Sequence, residues 1–160
     1  MTHDISFAYE TYICATPERV WQALTDGDLT AKYSFGSRVR SSWRPGDEIA
    51  FVGPDGTTCM SEGTITEAIP GRRLVYRARL LYDPELAKDA PVRLTWEITP
   101  FSDISKVVMT HDEFTGETAT YCAVTSAVPL MLSSLKSLLE TGEPLVAISP
   151  GPCAGWEGGA

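Results

Sequence analysis

The sequence has no uninterrupted apolar run that approaches the roughly 20 residues of a membrane-spanning helix. Its first ten residues, MTHDISFAYE, also lack the basic region and apolar core of a secretory signal. Basic residues are in deficit, because 13 Lys and Arg stand against 21 Asp and Glu and the net charge is −8. Such a surface repels nucleic acid phosphates. We therefore expect a cytoplasmic protein that neither inserts into a membrane nor binds nucleic acid.

Motifs for metal, nucleotide and nucleophilic chemistry are absent as well. The four cysteines, Cys14, Cys59, Cys122 and Cys153, are widely spaced, and none belongs to a CxxC pair or lies near a histidine at zinc-ligand spacing. The sequence contains no GxSxG, no HExxH, no phosphate-binding glycine loop and no dinucleotide fingerprint. We expect free thiols, no metal site and no cofactor.

A chain of 160 residues with 43% hydrophobic content can bury a core without support from disulfides or metals. The pattern predicts a single domain at residues 1–145. Gly, Pro, Ala and Ser dominate residues 146–160, so this segment is predicted to be a flexible tail. Trp156 could dock on the domain or on a partner, although a mobile tail is the simpler interpretation.

Residues 7–33 have the pattern of one strand followed by two short helices. The strand is predicted from the alternation of one set of side chains with another, Phe7, Tyr9, Thr11 and Ile13 against Ala8, Glu10, Tyr12 and Cys14. Thr16 then provides an N-cap and Pro17 the first residue of an amphipathic helix. A second, shorter helix is predicted at about 29–33.

The rest of the domain is predicted to be a six-strand meander followed by a long helix. The strands are expected at about 37–43, 48–52, 59–69, 72–81, 92–100 and 105–114. Alternation puts the apolar side chains of these strands on one face, so the sheet needs a cover. An amphipathic helix at about 118–140 is long enough to supply it, and Gly142 is expected to end it. Pro129 predicts a bend near Thr125, either a lid hinge or a static bend along the sheet.

Five segments carry a resemblance to a known superfamily. They are ATPERVWQALTD at 15–26, GTITEAIPGRRLVYR at 63–77, LTWEI at 94–98, MTHDEF at 109–114 and LKSLLETGEPL at 135–145. In this order and spacing they resemble the START-like, or Bet v 1-like, helix-grip (SRPBCC) superfamily. Within it they resemble the branch named after the activator of the 90-kilodalton heat-shock protein ATPase. The resemblance implies an α+β helix-grip fold, in which a curved antiparallel sheet of about seven strands wraps around a long C-terminal helix, with two short helices after strand 1.

The sequence departs from the family pattern at two places near the usual pocket wall. Residues 32–35 read KYSF where family members often carry a paired-aromatic motif, and residues 127–128 read AV where a Gly-Trp pair is common. Both departures bear on which ligand the chain would take.

The resemblance further implies an apolar cavity between the sheet and the long helix that holds a small hydrophobic or aromatic molecule. Our first hypothesis is a cytoplasmic binding protein for such a molecule, acting as a carrier or sensor. Strand and helix parity predict that its ligand-binding residues are Tyr9, Trp43, Phe51, Tyr76, Trp96, Met109, His111, Val128, Met131 and Leu135. An aromatic cage for a planar ligand could be formed by Tyr9, Trp43, Tyr76, Trp96 and Tyr121, although the packing of a large core explains these residues nearly as well.

An enzyme of the same fold is the alternative, namely a cyclase, dehydratase or hydrolase that acts on a polyketide-like or aromatic substrate. His111 faces inward by parity and is the candidate acid or base, although a hydrogen-bonded core histidine explains it as well. Glu67 has inward parity too and is either a buried base or a solvated rim residue. Cys59 and Cys122 lack neighbours that would activate a thiol.

A chaperone-associated interaction module is the third alternative, because the family takes its name from a chaperone activator. The expected partner remains a small hydrophobic ligand, and a homodimer is left open as a further association.

Overall fold

Seven strands form one antiparallel sheet in the computed structural model, which describes residues 5–145. The strands are β1 (Ile5–Ile13), β2 (Arg38–Ser41), β3 (Glu48–Val52), β4 (Cys59–Ile69), β5 (Arg73–Leu80), β6 (Val92–Phe101) and β7 (Ile104–Phe114). The helices are α1 (Pro17–Thr25), α2 (Gly27–Tyr33), α3 (Pro84–Ala87) and α4 (Ala119–Thr141). The predicted flexible tail and the docking of Trp156 lie outside the described residues.

The strand order across the sheet is β1-β7-β6-β5-β4-β3-β2. Strands β2 to β7 form a meander in which each strand pairs with the next one along the chain. Strand β1 closes the other edge by pairing with β7. The sheet curves around α4, and the two short helices α1 and α2 connect β1 to β2. The predicted helix-grip fold is confirmed.

The ends of the helices follow the local chemistry of the sequence. The Thr16 hydroxyl accepts a hydrogen bond from the backbone N–H of Arg19 at 3.3 Å and caps α1. Gly142 adopts φ 86°, and its N–H donates to the Leu138 carbonyl, which ends α4 as expected. Helix α4 is continuous through Pro129, and the bend near Thr125 stays a prediction.

Strand β2 is shorter than the sequence predicts and ends at Ser41. The backbone of Trp43 has φ 61°, which is incompatible with an extended strand, so the chain turns before β3. The short helix α3 was not predicted. The Asp83 carboxylate caps it by accepting from the N–H of Glu85 at 2.8 Å.

Helix α4 and the inner face of the sheet enclose the core of the protein. Leu132 and Leu135 on α4 are 0% exposed, as is Val107 on β7. By length and composition α4 is also apolar enough to cross a membrane, yet it is the helix that covers the sheet, and core helices pass the same test. The length and composition of α4 are therefore weak evidence for a membrane span.

Two β-bulges change which carboxylates face the core. An extra residue in β4 between Ile65 and Glu67 shifts the pairing with β5, so Glu67 turns to the outer face. In β7 an extra residue between His111 and Phe114 shifts the pairing with β1, and Glu113 takes a positive φ of 65°. His111 and Phe114 therefore both face inward, while the carboxylates between them face outward.

Candidate functional site

The space between the sheet and the first half of α4 is not filled by side chains, and it leaves a pocket of about 400 Å³. The lining comes from β3 to β7, α1, α4, the segment from α2 to β2 and the loop after β5. Its residues are Leu24, Tyr33, Ser34, Phe35, Ser37, Ile49, Phe51, Met60, Ser61, Leu74, Tyr76, Ala78, Leu80, Tyr82, Val92, Leu94, Trp96, Met109, His111, Ala123, Val124, Ser126, Ala127, Val128, Leu130 and Met131. Apolar side chains dominate this wall, with a few hydroxyls and one imidazole.

Most of the side chains that parity predicted for the ligand lie on this wall. They are Phe51, Tyr76, Trp96, Met109, His111, Val128 and Met131. Their presence on the wall gives the geometry only, and contact with a ligand stays a prediction.

Three predicted residues do not line the pocket, and their assignment is corrected. Tyr9 lies on the edge strand β1, where α4 packs directly against the sheet. Trp43 lies in the turn after β2 and packs against the core outside the pocket. Leu135 is fully buried one turn beyond Met131, where α4 has closed onto the sheet. Parity gives the face of an element, but it does not tell where along that element the two layers separate.

Fewer aromatic side chains face the pocket than the predicted cage requires, again because parity does not tell where the sheet and α4 separate. Tyr121 is not part of the pocket lining and instead packs edge-on against Phe114, with ring centroids 5.2 Å apart. Of the five cage candidates, only Tyr76 and Trp96 face the pocket.

The segment after α2 contributes wall residues that parity did not predict, namely Tyr33, Ser34 and Phe35. The Tyr33 hydroxyl donates to the Ala23 carbonyl at 2.7 Å, and burial raises the pKa of this phenol well above its usual value. The signal for this part of the wall was the departure from the family motif at KYSF, because the last three residues of that segment lie on the wall. Residues 127–128, the second departure, also lie on it.

Among the described residues of the wall, His111 carries the fully enclosed polar side-chain atom that makes no hydrogen bond. It is 2% exposed, and within residues 5–145 its Nδ1 is the buried side-chain nitrogen or oxygen without a hydrogen bond. Its ring stacks beside that of Phe114. Burial lowers the pKa of His111 from its ordinary value of 6.5 to about 4, and the nearby charge of Asp112 opposes the shift. The imidazole is therefore neutral at physiological pH.

The carboxylates next to His111 in sequence are engaged on the outer face. Arg93 donates from Nε to Asp112 at 2.8 Å, and Arg77 donates to Glu113 from Nε at 2.7 Å. The hydrogen bond from Arg93 lowers the pKa of Asp112, and the one from Arg77 lowers the pKa of Glu113. Neither carboxylate can pair with the imidazole to form a catalytic dyad.

Glu67 is excluded as an inward base, because the bulge in β4 turns it outward to accept a hydrogen bond from Arg73 at 3.0 Å. In the described part of the chain no cluster of His, Cys, Asp and Glu side chains has the arrangement of a metal site. Cys14 and Cys59 are free thiols, whereas Cys122 is disulfide-bonded, so the expectation of free thiols is wrong for Cys122.

The phenol ring of Tyr76 also lies on the pocket wall. Burial raises the pKa of Tyr76 to about 12, and the indole N–H of Trp96 opposes that rise. Tyr76 on β5, Leu94 on β6 and His111 on β7 are paired across the sheet and form one row on the pocket floor. Leu74, Trp96 and Met109 form the adjacent row, which is apolar apart from the indole nitrogen.

Comparison with known proteins places this architecture in a family. The sequence profile described as "Activator of Hsp90 ATPase homolog 1-like protein" matches residues 14–140. The chain belongs to this family. No curated protein matches the chain significantly.

Several solved structures share the fold of this chain. The Aha1 dimer from Colwellia psychrerythraea is 20% identical with a TM-score of 0.69, over 86% of this chain and 98% of that one. Protein MLL2253 from Mesorhizobium loti is 20% identical with a TM-score of 0.71, over 84% and 96%. DynU16, a protein of the dynemicin biosynthetic locus, is 19% identical with a TM-score of 0.66, over 89% of this chain and 49% of its own. At these identities the likeness establishes the fold.

Proposed function

We propose that this protein binds a small, neutral, hydrophobic or aromatic molecule in the pocket between the sheet and α4. The observation that carries the proposal is the unfilled volume of about 400 Å³ behind an otherwise buried core. Protein interiors are packed as densely as organic crystals, and an apolar void forfeits dispersion contacts along its whole wall. A ligand that fills the void restores those contacts. The volume falls in the range of about 300–1,000 Å³ that is usual for small-molecule sites.

The composition of the wall supports a neutral ligand. Among the described residues that line the pocket there is no Asp, Glu, Lys or Arg. A charged ligand would lose its hydration without gaining an opposite charge, which is a penalty of several kcal/mol in an apolar site, on the order of the cost of an unpaired buried ion.

The pocket reaches the protein surface at the middle of α4. Ser126 lines the pocket and is also exposed to solvent. Further along α4 the Ser34 hydroxyl donates to the Met131 sulfur at 3.6 Å and joins the segment after α2 to this helix. Pro129 lies between these two positions of α4, so the predicted bend would act on the lip of the pocket.

Fluorescence titration with the neutral dye N-phenyl-1-naphthylamine tests this proposal. We expect saturable binding to the wild-type protein and a rise in thermal stability with dye concentration. Replacing Ala127, which lines the pocket, by Phe is expected to weaken binding by at least about tenfold, because the ring occupies the void. Ala119→Phe is the matched control on the same helix, outside the lining, and is expected to leave the affinity unchanged. Absence of saturable binding to the wild type would refute the proposal.

Catalysis on an aromatic or polyketide-like substrate is the second candidate. Its support is the likeness of fold to DynU16, whose locus makes dynemicin, and the presence of His111 on the wall. A ring with a pKa of about 4 is a weak base at neutral pH, and the neighbouring carboxylates are bound to arginines on the outer face. The pocket therefore favours binding over acid–base chemistry. Loss of at least about a hundredfold in turnover in His111→Gln, with any substrate found, would restore the enzyme hypothesis.

Three further assignments belong to the proposal. A homodimer is suggested by the dimeric Aha1 of Colwellia psychrerythraea, and sedimentation velocity tests it. A cytoplasmic location fits the proposed role of a carrier or sensor, and fractionation tests it. Recruitment to the chaperone is the alternative that the family description names, and a pull-down that retains Hsp90 would support it.

A further inference from the structure

The imidazole of His111 indicates the chemical class of the ligand more narrowly than the shape of the pocket does. Within residues 5–145 its Nδ1 is fully enclosed and makes no hydrogen bond. Its Nε2 makes no hydrogen bond in that range either, and it is not among the fully enclosed atoms. Since His111 lines the pocket, Nε2 is the ring nitrogen that a ligand can reach.

The enclosed nitrogen determines which tautomer the neutral ring prefers. A neutral imidazole carries one N–H and one lone pair, and either nitrogen can hold the proton. An enclosed N–H without a partner is rarer and more costly than an enclosed acceptor. The proton is therefore expected on Nε2, where it points an N–H donor at the pocket.

We infer that the ligand is a neutral, mostly apolar molecule carrying a carbonyl or hydroxyl oxygen that accepts a hydrogen bond from Nε2–H of His111. This inference rests on the proposed binding function and specifies the ligand class of that site. A carboxylate is excluded by the absence of Lys and Arg from the described wall. A pure hydrocarbon would leave the donor unsatisfied.

The two rows on the pocket floor give the ligand an orientation. The oxygen lies over the row of Tyr76, Leu94 and His111, because the donor belongs to that row. Adjacent strands are about 4.8 Å apart, so the Cα atoms of Tyr76 and His111 are about 10 Å apart and both side chains can approach the same oxygen. The apolar body then covers the neighbouring row that contains Trp96 and Met109.

The experiment compares two ligands of nearly the same shape, 2-acetylnaphthalene, which has a carbonyl, and 2-isopropylnaphthalene, which has none. Their dissociation constants are measured for the wild type, His111→Leu, which has no donor, and His111→Gln, which has an N–H donor. Met109→Leu is the control for a change of shape on the same wall. The quantity of interest is the ratio of the two constants in each protein, because it removes effects common to both ligands.

We expect the preference for the ketone to fall by about threefold to tenfold in His111→Leu, which corresponds to one neutral hydrogen bond. It is expected to be largely retained in His111→Gln and unchanged in Met109→Leu. 2-Naphthoate is expected to bind the wild type at least about tenfold more weakly than the ketone. An unchanged ratio in His111→Leu, or tight binding of the naphthoate, would overturn the inference.

A measurement on the wild type alone keeps the inference testable if a variant does not fold. The sequence has 2 histidines, so the ring of His111 can be assigned in ¹H–¹⁵N correlation spectra. We expect the Nε2–H tautomer in the free protein, and a downfield shift of its proton with the ketone but not with the hydrocarbon. The Nδ1–H tautomer, or equal shifts with both ligands, contradicts the inference while leaving the binding function intact. Failure of both ligands to bind overturns the binding function and the inference together.

Discussion

Acidification from pH 7.5 to pH 5 is expected to destabilise the protein through His111. In the unfolded chain a histidine takes up a proton near pH 6.5, whereas the folded ring resists it until about pH 4. The unfolded state therefore binds more protons between these values. The stability that comes from the neutral ring is complete above about pH 7 and is lost as the pH falls toward 4.

The magnitude follows from the difference between the two pKa values. A shift from 6.5 to about 4 corresponds to an upper limit of about 3 kcal/mol. At pH 5 the protonation of the unfolded chain costs about 2 kcal/mol of that sum. Carboxylates such as Asp112 and Glu113, whose pKa values are lowered, contribute mainly below this range.

Urea denaturation followed by tryptophan fluorescence measures the effect at pH 7.5, 6 and 5. His111→Leu is the matched variant, because it removes the protonation of His111 and places an apolar side chain of similar size on the wall. We expect the wild type to lose about 2 kcal/mol more than the variant between pH 7.5 and pH 5. Equal losses in the two proteins would show that His111 is hydrated or paired, and the reasoning about the enclosed imidazole would be wrong.

Three further predictions concern stability and are measured in the same way. In Gly63→Ala the new Cβ would lie 1.9 Å from the Arg77 carbonyl oxygen, so we expect a loss of about 3 kcal/mol or more, and a loss below about 1 kcal/mol would contradict the close strand approach. Tyr33→Phe leaves the buried Ala23 carbonyl without its 2.7 Å partner and is expected to cost about 1–3 kcal/mol, whereas no loss would mean that water replaces the phenol. Thr16→Ala removes the cap of α1 and is expected to cost about 1 kcal/mol, and Thr16→Ser should retain most of that stability.

Much of the fold could be predicted from short-range chemistry. Thr16 and Gly142 mark helix ends through their own hydrogen-bonding and backbone preferences, and both act as expected. Strict alternation in β5 and β6 predicted the inward faces of Tyr76 and Trp96. Such signals are local, so a single sequence is enough to detect them.

Prediction of side-chain direction from strand parity fails at the two bulges. Parity placed Glu67 on the inner face, and one extra residue in β4 reverses it. The bulge after His111 has the opposite consequence, since it keeps Phe114 inward and brings Asp112 and Glu113 to the same outer face. A bulge depends on the pairing of two strands that are distant in sequence, and neither strand carries its signature alone.

The sequence by itself determined the family, the order of the elements other than α3, the covering role of α4 and the inward direction of His111, because these depend on periodicity, caps and recognisable segments. Only the tertiary structure decided that the sheet and α4 separate near Met131 and are closed at Leu135. It also decided that the wall includes residues 33–35 and that no group within the described residues forms a hydrogen bond with the His111 ring. Each of these depends on distances between elements, and those distances are determined by how the sheet curves away from the helix.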